Sequence, residues 1–341
     1  MKSFLLAVLL VIFAGSFVFL RSDRPVSKDA KSVVYIVNPG DGARVIAEGL
    51  EKAALIRSER YFLFTVWRRG SQAKFAAGAF ELSPSMTTGE IEKMLTGGKP
   101  ISNERNVTVL EGWTIDDIAE YLENEGVASQ KEFYAEVGKS ATFAKAGELP
   151  DWAASYPALA GLPATASLEG YLFPDTYRIY ADGGAKALVR RMLDNFETKL
   201  TPELRAEIAA SGRSIRDIVI MASVIEREVR GAEDSAMVSD VFWKRVDAGW
   251  GLEADSTVNY ITGHSKPSVS YAETRIDHPW NTYKYRGLPA GPIGNPGMTA
   301  IIAAIRPKSN PYWYFLTDEA GTVYYGKTLD EHNANKAKYL R

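Results

Sequence analysis

The chain has 341 residues, 46% hydrophobic and 24% charged, which is enough for about two domains with real cores and excludes a disordered polymer. A formal net charge of −2 argues against a nucleic-acid footprint, so no nucleic acid is expected among its partners. The absence of cysteine excludes disulfides, Cys-ligated zinc and a thiol nucleophile; with three histidines (His264, His278, His332) not at metal-site spacing, neither a metal centre nor a His-based triad is expected.

Lys2 precedes "SFLLAVLLVIFAGSFVFL", an uncharged run from Ser3 to Leu20, and Arg21 and Arg24 follow it. At about 1.5 Å per residue the run is just long enough to cross a bilayer. No cysteine is available for lipid attachment and no A-x-A site closes the run. A retained single-pass anchor over residues 1–24 is expected, with the bulk of the chain exported; cleavage after "AGS" is the alternative. The flanking charges are too evenly split to set orientation by themselves. Residues 25–32 read as a polar linker.

From residue 33 to 107, "VVYIV" and "YFLFTVW" have strand composition, and "ARVIAEGLEKAAL" has helical periodicity. "AGAFELSPSMTTGEIEKMLTGGK" reads as a strand, a capped helix and a glycine stop. A weak echo links "GDGARVIAEGLEKAALIRSERYF" to "GWTIDDIAEYLENEGVASQKEFY". Both read as a loop entering an amphipathic helix, then a turn before a second helix; two copies are too few for a solenoid. Residues 125–165 read as helix and loop, and "SLEGYLFPDTYRIY" as a strand interrupted by Pro174. "AKALVRRMLDNFETKL" is an amphipathic helix. Further helices follow around "IRDIVIMASVIEREV" and "SAMVSDVFWKRVDAG". "GLPAGPIGNPG" is a dense Gly/Pro loop leading into a helix over "TAIIAAI". "PYWYFLTDEAGTVYYG" reads as a β-hairpin, and Thr328 with Glu331 opens a last helix as a capping box. Helices and strands mix without regular βαβ alternation, which favours an α+β fold.

The helix over "IRDIVIMASVIEREV" poses the sharpest question. Ser214 and Asp217 form a box-like N-terminus, and neither Gly nor Pro interrupts it. With Ile215 at zero, Val219 falls at about 40°, Ala222 at about 340°, Val229 at about 320° and Glu226 at about 20°, the centre of the apolar stripe. Glu228 falls at about 220°, beside Asp217, and reads as a solvated charge. Glu226 is therefore a carboxyl group pushed into the core or into a cleft, or one paired with an unseen Arg or Lys. In an apolar cleft its pKa rises, so it can donate a proton to a leaving oxygen, as glycosidic bonds require.

Other candidates carry two readings each. Asp255, in "GLEADSTVNYI", is a second carboxylate or the N-cap of a helix starting at Ser256, and Glu253 beside it is a ligand-binding group or a solvated one. Glu169 and Asp175 flank the Pro-broken strand, where ion pairing and turn capping compete with catalysis. Asn295 before Pro296 fits an N-cap with Pro at the first helical position, or a rigid saccharide subsite. Tyr171, Tyr177, Trp280, Tyr283 and Tyr285 are sugar-stacking surfaces or core. His332 is expected at the surface.

"ASVIEREV", "SLEGYLFPDTY", "LEADSTVNYI", "NTYKYRGLPAGPIGNPG" and "YFLTDEAGTVYYGKTLDEHN", in this order and spacing, closely resemble the YceG-like endolytic murein transglycosylase family over most of the chain. The resemblance implies an inner-membrane anchor, a LysM-like module at 33–107 and a periplasmic catalytic domain at 108–341. It implies cleavage within nascent glycan strands of peptidoglycan, peptidoglycan synthases as partners, and no metal or cofactor. The family's catalytic glutamate falls on Glu226, in agreement with the helical-face argument. The matching motifs supply Glu169, Asp175, Glu253, Asp255, Thr257, Asn281, Thr282, Tyr283 and Asn295 as candidate substrate-binding residues. Where relatives often read "LQSDPTV", this chain has Glu253 for Gln and Ser256 for Pro; loss of that Pro should loosen the helix start. Trp280 stands where Tyr is usual. The rival readings are a two-carboxylate hydrolase using Asp255 or Glu169, and a non-catalytic wall-binding scaffold.

Overall fold

The computed structural model describes residues 23–28, 31–100, 104–138, 149–163, 166–180, 183–264 and 268–340. The run from Ser3 to Leu20 lies outside them; among the described residues no helix is long and apolar enough to cross a membrane. The fold is mixed α+β, with twelve α-helices and three two-stranded sheets among the described residues. The chain forms two compact units that divide between Arg105 and Asn106.

In the first unit, β1 (Val33–Val37) pairs antiparallel with β2 (Gly78–Leu82), Val33 opposite Leu82 and Val37 opposite Gly78. Between them run α1 (Ala43–Lys52) and α2 (Glu59–Arg69), and α3 (Thr88–Gly97) follows. Ile46, Leu50, Leu55, Phe62, Phe80, Leu82, Ile91 and Leu95 close a core of their own. Helix α2 corrects the strand reading of "YFLFTVW". Ser58 accepts from the Tyr61 N–H at one end, and Gly70 takes the left-handed conformation at the other. The aromatic and β-branched composition is overridden by these caps and by burial of Phe62 and Val66. The capped helix expected in this stretch is α3, opened by a reciprocal capping box of Thr87 and Glu90.

The division falls within β3 (Glu104–Thr108), which pairs with β4 (Thr176–Tyr180) of the second unit. Helices α4 (Ile115–Asn124) and α5 (Gln130–Val137) form the second helix pair of the echo, each opened by a capping box. Then come α6 (Gly184–Lys199), α7 (Pro202–Ala210), α8 (Ile215–Glu228), α9 (Ala232–Asp247), α10 (Asp255–Thr262) and α11 (Met298–Ile305). The strand expected across "SLEGYLFPDTYRIY" survives only as β4; the residues before Pro174 turn instead. The hairpin β5 (Tyr314–Thr317) and β6 (Val323–Gly326) is antiparallel as expected. In α12 (Leu329–Tyr339) the box is half-formed: Thr328 accepts from Glu331 N–H, but the Glu331 carboxylate takes its bond from Lys327 N–H.

Helix α8 is the centre of this unit. Every residue from Ile218 to Ile225 is buried, and it packs against α7, α9, α10 and α11. A helix apolar on all sides belongs inside a core. Asp217 Oδ2 accepts from Ser214 N–H at 2.9 Å and Ser214 Oγ accepts from Asp217 N–H at 3.1 Å, which fixes its start. It stops at Val229, whose φ of −143° is extended. Glu226 thus sits in the last turn, where a buried rod reaches the edge of its core.

Candidate active site

One turn before its end, α8 grips the Gly/Pro loop. The hydroxyl of Ser223, fully buried, accepts from the Ile293 N–H at 3.0 Å, and Arg227 donates to the Ile293 carbonyl at 3.2 Å. Arg216 donates to the Ala290 carbonyl, and Trp280 Nε1 to that of Pro292 at 3.2 Å. The loop therefore has its backbone groups satisfied by side chains, which lets it lie buried without secondary structure.

Asn295 is the second fastening, and it is not a helix cap: α11 starts at Met298 with Gly297 in the cap position. Its Oδ1 accepts from the Gly170 and Leu172 N–H groups at 2.9 and 3.0 Å. Its Nδ2 donates to the Trp113 carbonyl at 2.9 Å and to Glu169 at 3.2 Å. Its backbone pairs with Gly112 and Trp113. Gly170 is required here twice over: its φ is +88°, and a Cβ would meet Pro292 at 2.6 Å and Val219 at 2.7 Å.

These fastenings bring Glu226 against the start of α11. Glu226 is half-buried, and its Oε2 accepts from the Gly297 N–H at 2.9 Å. Among the described residues it forms no ion pair, which removes the reading that pairs it with Arg or Lys; Arg227 beside it is turned to Ile293. Burial pushes its pKa above the ordinary carboxylate value, the Gly297 N–H pulls back, and the charge of Glu111 pushes up again. Glu111 is the neighbour that the sequence reading missed. A Cβ on Gly297 would lie 1.9 Å from Glu111 Oε1, so this carboxyl group rests on the glycine that serves Glu226. Its one sequence signal is its place directly before Gly112 and the capped α4, and a lone exposed glutamate at a turn names no chemistry.

Glu228 is not the solvated charge its helical angle suggests. Its Oε1 accepts from the Ser256 hydroxyl at 2.6 Å and from Ser256 N–H at 3.3 Å, and burial pushes its pKa up. A cavity of about 730 Å³ opens on this side of α8, lined by Glu228, Arg245, Glu253, Asp255, Tyr283 and Tyr314 among others; Glu226 is not in its wall. Asp255 is the first residue of α10, not its cap, which is Ala254. Its carboxylate accepts from the Tyr283 hydroxyl at 2.6 Å. Glu253 is exposed, on left-handed backbone with φ of +51°. His332 also lines this cavity, half-buried against the Tyr314 ring rather than at the surface.

Most of the remaining polar candidates point inward. Thr257 and Thr282 share a hydroxyl–hydroxyl bond of 2.9 Å, and Thr282 accepts from Ala254 N–H at 3.1 Å. Asn281, wholly buried, donates to the Thr274 and Ile276 carbonyls at 3.0 and 2.8 Å. Glu169 is 2% exposed and accepts from Ile115 N–H, Asn295 Nδ2 and the Tyr260 hydroxyl. Burial pushes its pKa up to about 8 against the pull of those donors. Asp175 accepts from Thr176 N–H and Asn195 at the entry to β4, the turn-capping reading. Tyr171, Tyr177 and Trp280 are core, whereas Tyr283 and Tyr285 reach the surface. The predicted residues thus separate into Glu226 at the end of α8, a group on the Glu228 cavity, a buried scaffold, and Asp175 apart.

The YceG-like family model matches residues 35–338. A Bacillus subtilis (strain 168) protein named endolytic murein transglycosylase is 33% identical over 335 residues, covering 97% of this chain and 91% of its own. One of the same name from Streptococcus pneumoniae D39 is 29% identical over 99% of this chain, which spans 64% of that longer protein. The crystal structure of a yceG-like protein from Listeria monocytogenes superposes with a TM-score of 0.59 at 29% identity, covering 90% of this chain and 99% of its own. The helix, the gripped loop and the buried asparagine all fall inside the matched span, and the chain belongs to the YceG-like family.

Proposed function

We propose that this chain is an endolytic murein transglycosylase that cuts between N-acetylmuramic acid and N-acetylglucosamine inside nascent peptidoglycan strands. The observation that carries the reading is Glu226: a half-buried carboxyl group with raised pKa, a neutral N–H donor and, among the described residues, no cation paired with it, in a chain similar to relatives named for this activity. Protonated, it gives its proton to the glycosidic oxygen as the bond to C1 breaks and positive charge develops at C1. The carboxylate so formed takes the proton of the C6 hydroxyl on the same sugar as O6 bonds to C1. The product is a 1,6-anhydro end, no water is consumed, and the residue is returned protonated. The internal hydroxyl gains from its high effective concentration.

The residues on the Glu228 cavity, Glu253, Asp255 and Tyr283, are assigned to orienting the strand. Glu169, Thr257, Asn281, Thr282 and Asn295 are assigned to holding the loops that shape the site. Asp175 is assigned a supporting place at β4. We infer a membrane anchor from the uncharged run at Ser3 to Leu20 and place the second unit in the periplasm beside the synthases that make its substrate. The strand–helix–helix–strand order of residues 33–82 supports a LysM-like module.

Digestion of purified sacculi followed by mass analysis tests the reading. Anhydro ends are expected; reducing ends would make the protein a hydrolase, and binding without cleavage a scaffold. Glu226→Gln keeps the shape and the Gly297 bond but has no proton to give, so turnover should fall by about 10²–10⁴-fold with the melting temperature little changed. A fully active Glu226→Gln protein would refute the assignment.

A further inference from the structure

We propose that Glu111 is a positioning residue for this reaction, a second carboxylate laid over Gly297 that holds the proton on Glu226. The inference rests on the reading of Glu226 as the acid/base. Gly297 is shared by both groups. Its N–H donates to Glu226 Oε2 at 2.9 Å, and a Cβ on it would lie 1.9 Å from Glu111 Oε1 and 2.2 Å from Glu111 Cδ. Bond lengths then put the two carboxyl groups within about 7 Å of each other. A Cβ on Gly112 would lie 3.5 Å from Glu226 Cγ, so residues 111 and 112 both border the Glu226 side chain.

The arrangement is fixed by backbone. Gly112 N–H donates to the Asn295 carbonyl and Asn295 N–H to the Trp113 carbonyl, both at 2.8 Å. The turn carrying Glu111 is thereby tied to the loop carrying Gly297. Any residue but glycine at 297 would drive into the Glu111 carboxylate.

Several other charged groups on and around α8 have partners of their own. Arg227 is on the Ile293 carbonyl and Glu228 on Ser256. On the helices packed against it, Glu207 pairs with Arg306, Glu233 with Lys308, Asp234 with the Tyr325 hydroxyl and Asp255 with the Tyr283 hydroxyl. Among the described residues, Glu111 is the neighbouring charge that bears on Glu226. Two like charges at this separation disfavour joint ionisation, and the more buried group keeps the proton. One effect serves both steps. The like charge keeps Glu226 in its acid form to higher pH, and once deprotonated it is a stronger base toward the C6 hydroxyl.

The test is the pH profile of anhydro-product release from purified sacculi by the full chain, for wild type, Glu111→Gln, Glu111→Asp and Glu111→Lys. The alkaline limb reports the acid. In Glu111→Gln it should move down by about one pH unit, with turnover on that limb falling about tenfold and the low-pH rate largely kept. Glu111→Asp should restore part of the shift, and Glu111→Lys should move the limb further the same way. Glu111 is exposed, so these variants are expected to fold, and a thermal melt checks it. A limb that stays in place in folded Gln and Lys variants overturns the proposal while leaving Glu226 as the acid/base. A wild type that yields no anhydro ends removes the reading of Glu226 and this inference with it.

Discussion

Glu169 is 2% exposed, and its oxygens accept from a backbone N–H, an amide and a phenol. Among the described residues it has no ion-pair partner, and burial pushes its pKa up to about 8. In the unfolded chain it titrates near 4.5. The folded state therefore binds its proton more tightly. That contribution to stability is full below about 4.5 and is lost as pH rises through about 8. Urea unfolding of the wild type should show a stability decline between these limits, and Glu169→Gln should flatten it by a few kcal/mol whatever its own baseline. An unchanged slope in the variant would mean that the donors hold Glu169 ionised. At this scale the sequence was legible only for side chains whose surroundings are helical. The angle of Glu226 on α8 places it at the apolar stripe, and the structure finds it there, at the helix end. Glu228 lies on the same face as Met221 and Val224, which are buried as well, so the apolar surface of α8 is not confined to one stripe, and α10 brings Ser256 over the carboxyl group.

Among the elements, α10 shows what one departure from the family pattern does. Ser256 stands where relatives often carry Pro, and a looser helix start was the expectation. In the structure its backbone N–H and hydroxyl both go to Glu228, at 3.3 and 2.6 Å. Proline has neither donor. Ser256→Pro, though compatible with a first helical turn, should leave the Glu228 carboxyl group short of partners and cost about 1–3 kcal/mol. A drop of several degrees in the melting temperature of the second unit checks it, since a unit of this size moves about 2–4 °C per kcal/mol. A rise would mean that preset backbone geometry outweighs the two bonds. Elements with chemical end signals were readable in advance: Ser214 with Asp217 opens its helix as drawn, and the capped helix expected in "SMTTGEIEKMLTGGK" proves to be opened by Thr87 with Glu90. "YFLFTVW" was not, because its composition favours a strand while Ser58 and Gly70, the residues that settle it, lie just outside the apolar run. The echo with "SQKEFY" was the better guide, since both segments form the second helix of a pair. Asn295 misled for the opposite reason: Asn-Pro carries a cap signal, but the helix begins three residues later and the amide joins loops far apart in sequence.

Across the whole molecule, two apolar cores share no residue, one drawn from Val37 to Leu95 and one from Val107 to Ile305. Glu226, Glu111, Asn295 and Gly297 all belong to the second unit. On the LysM-like reading proposed above, damage to the first core should reach the chemistry only through binding. Leu50 is fully buried in that first core, and Leu50→Ala should destabilise it by about 2–5 kcal/mol. Calorimetry should show one transition lowered and the other in place. Below the lowered transition kcat should match wild type. Above it, where the first unit has melted and the second has not, KM for glycan should rise while kcat stays, because the proton donor and its neighbours remain assembled. A kcat loss as deep as that of Glu226→Gln would show instead that the first unit helps to build the reacting centre.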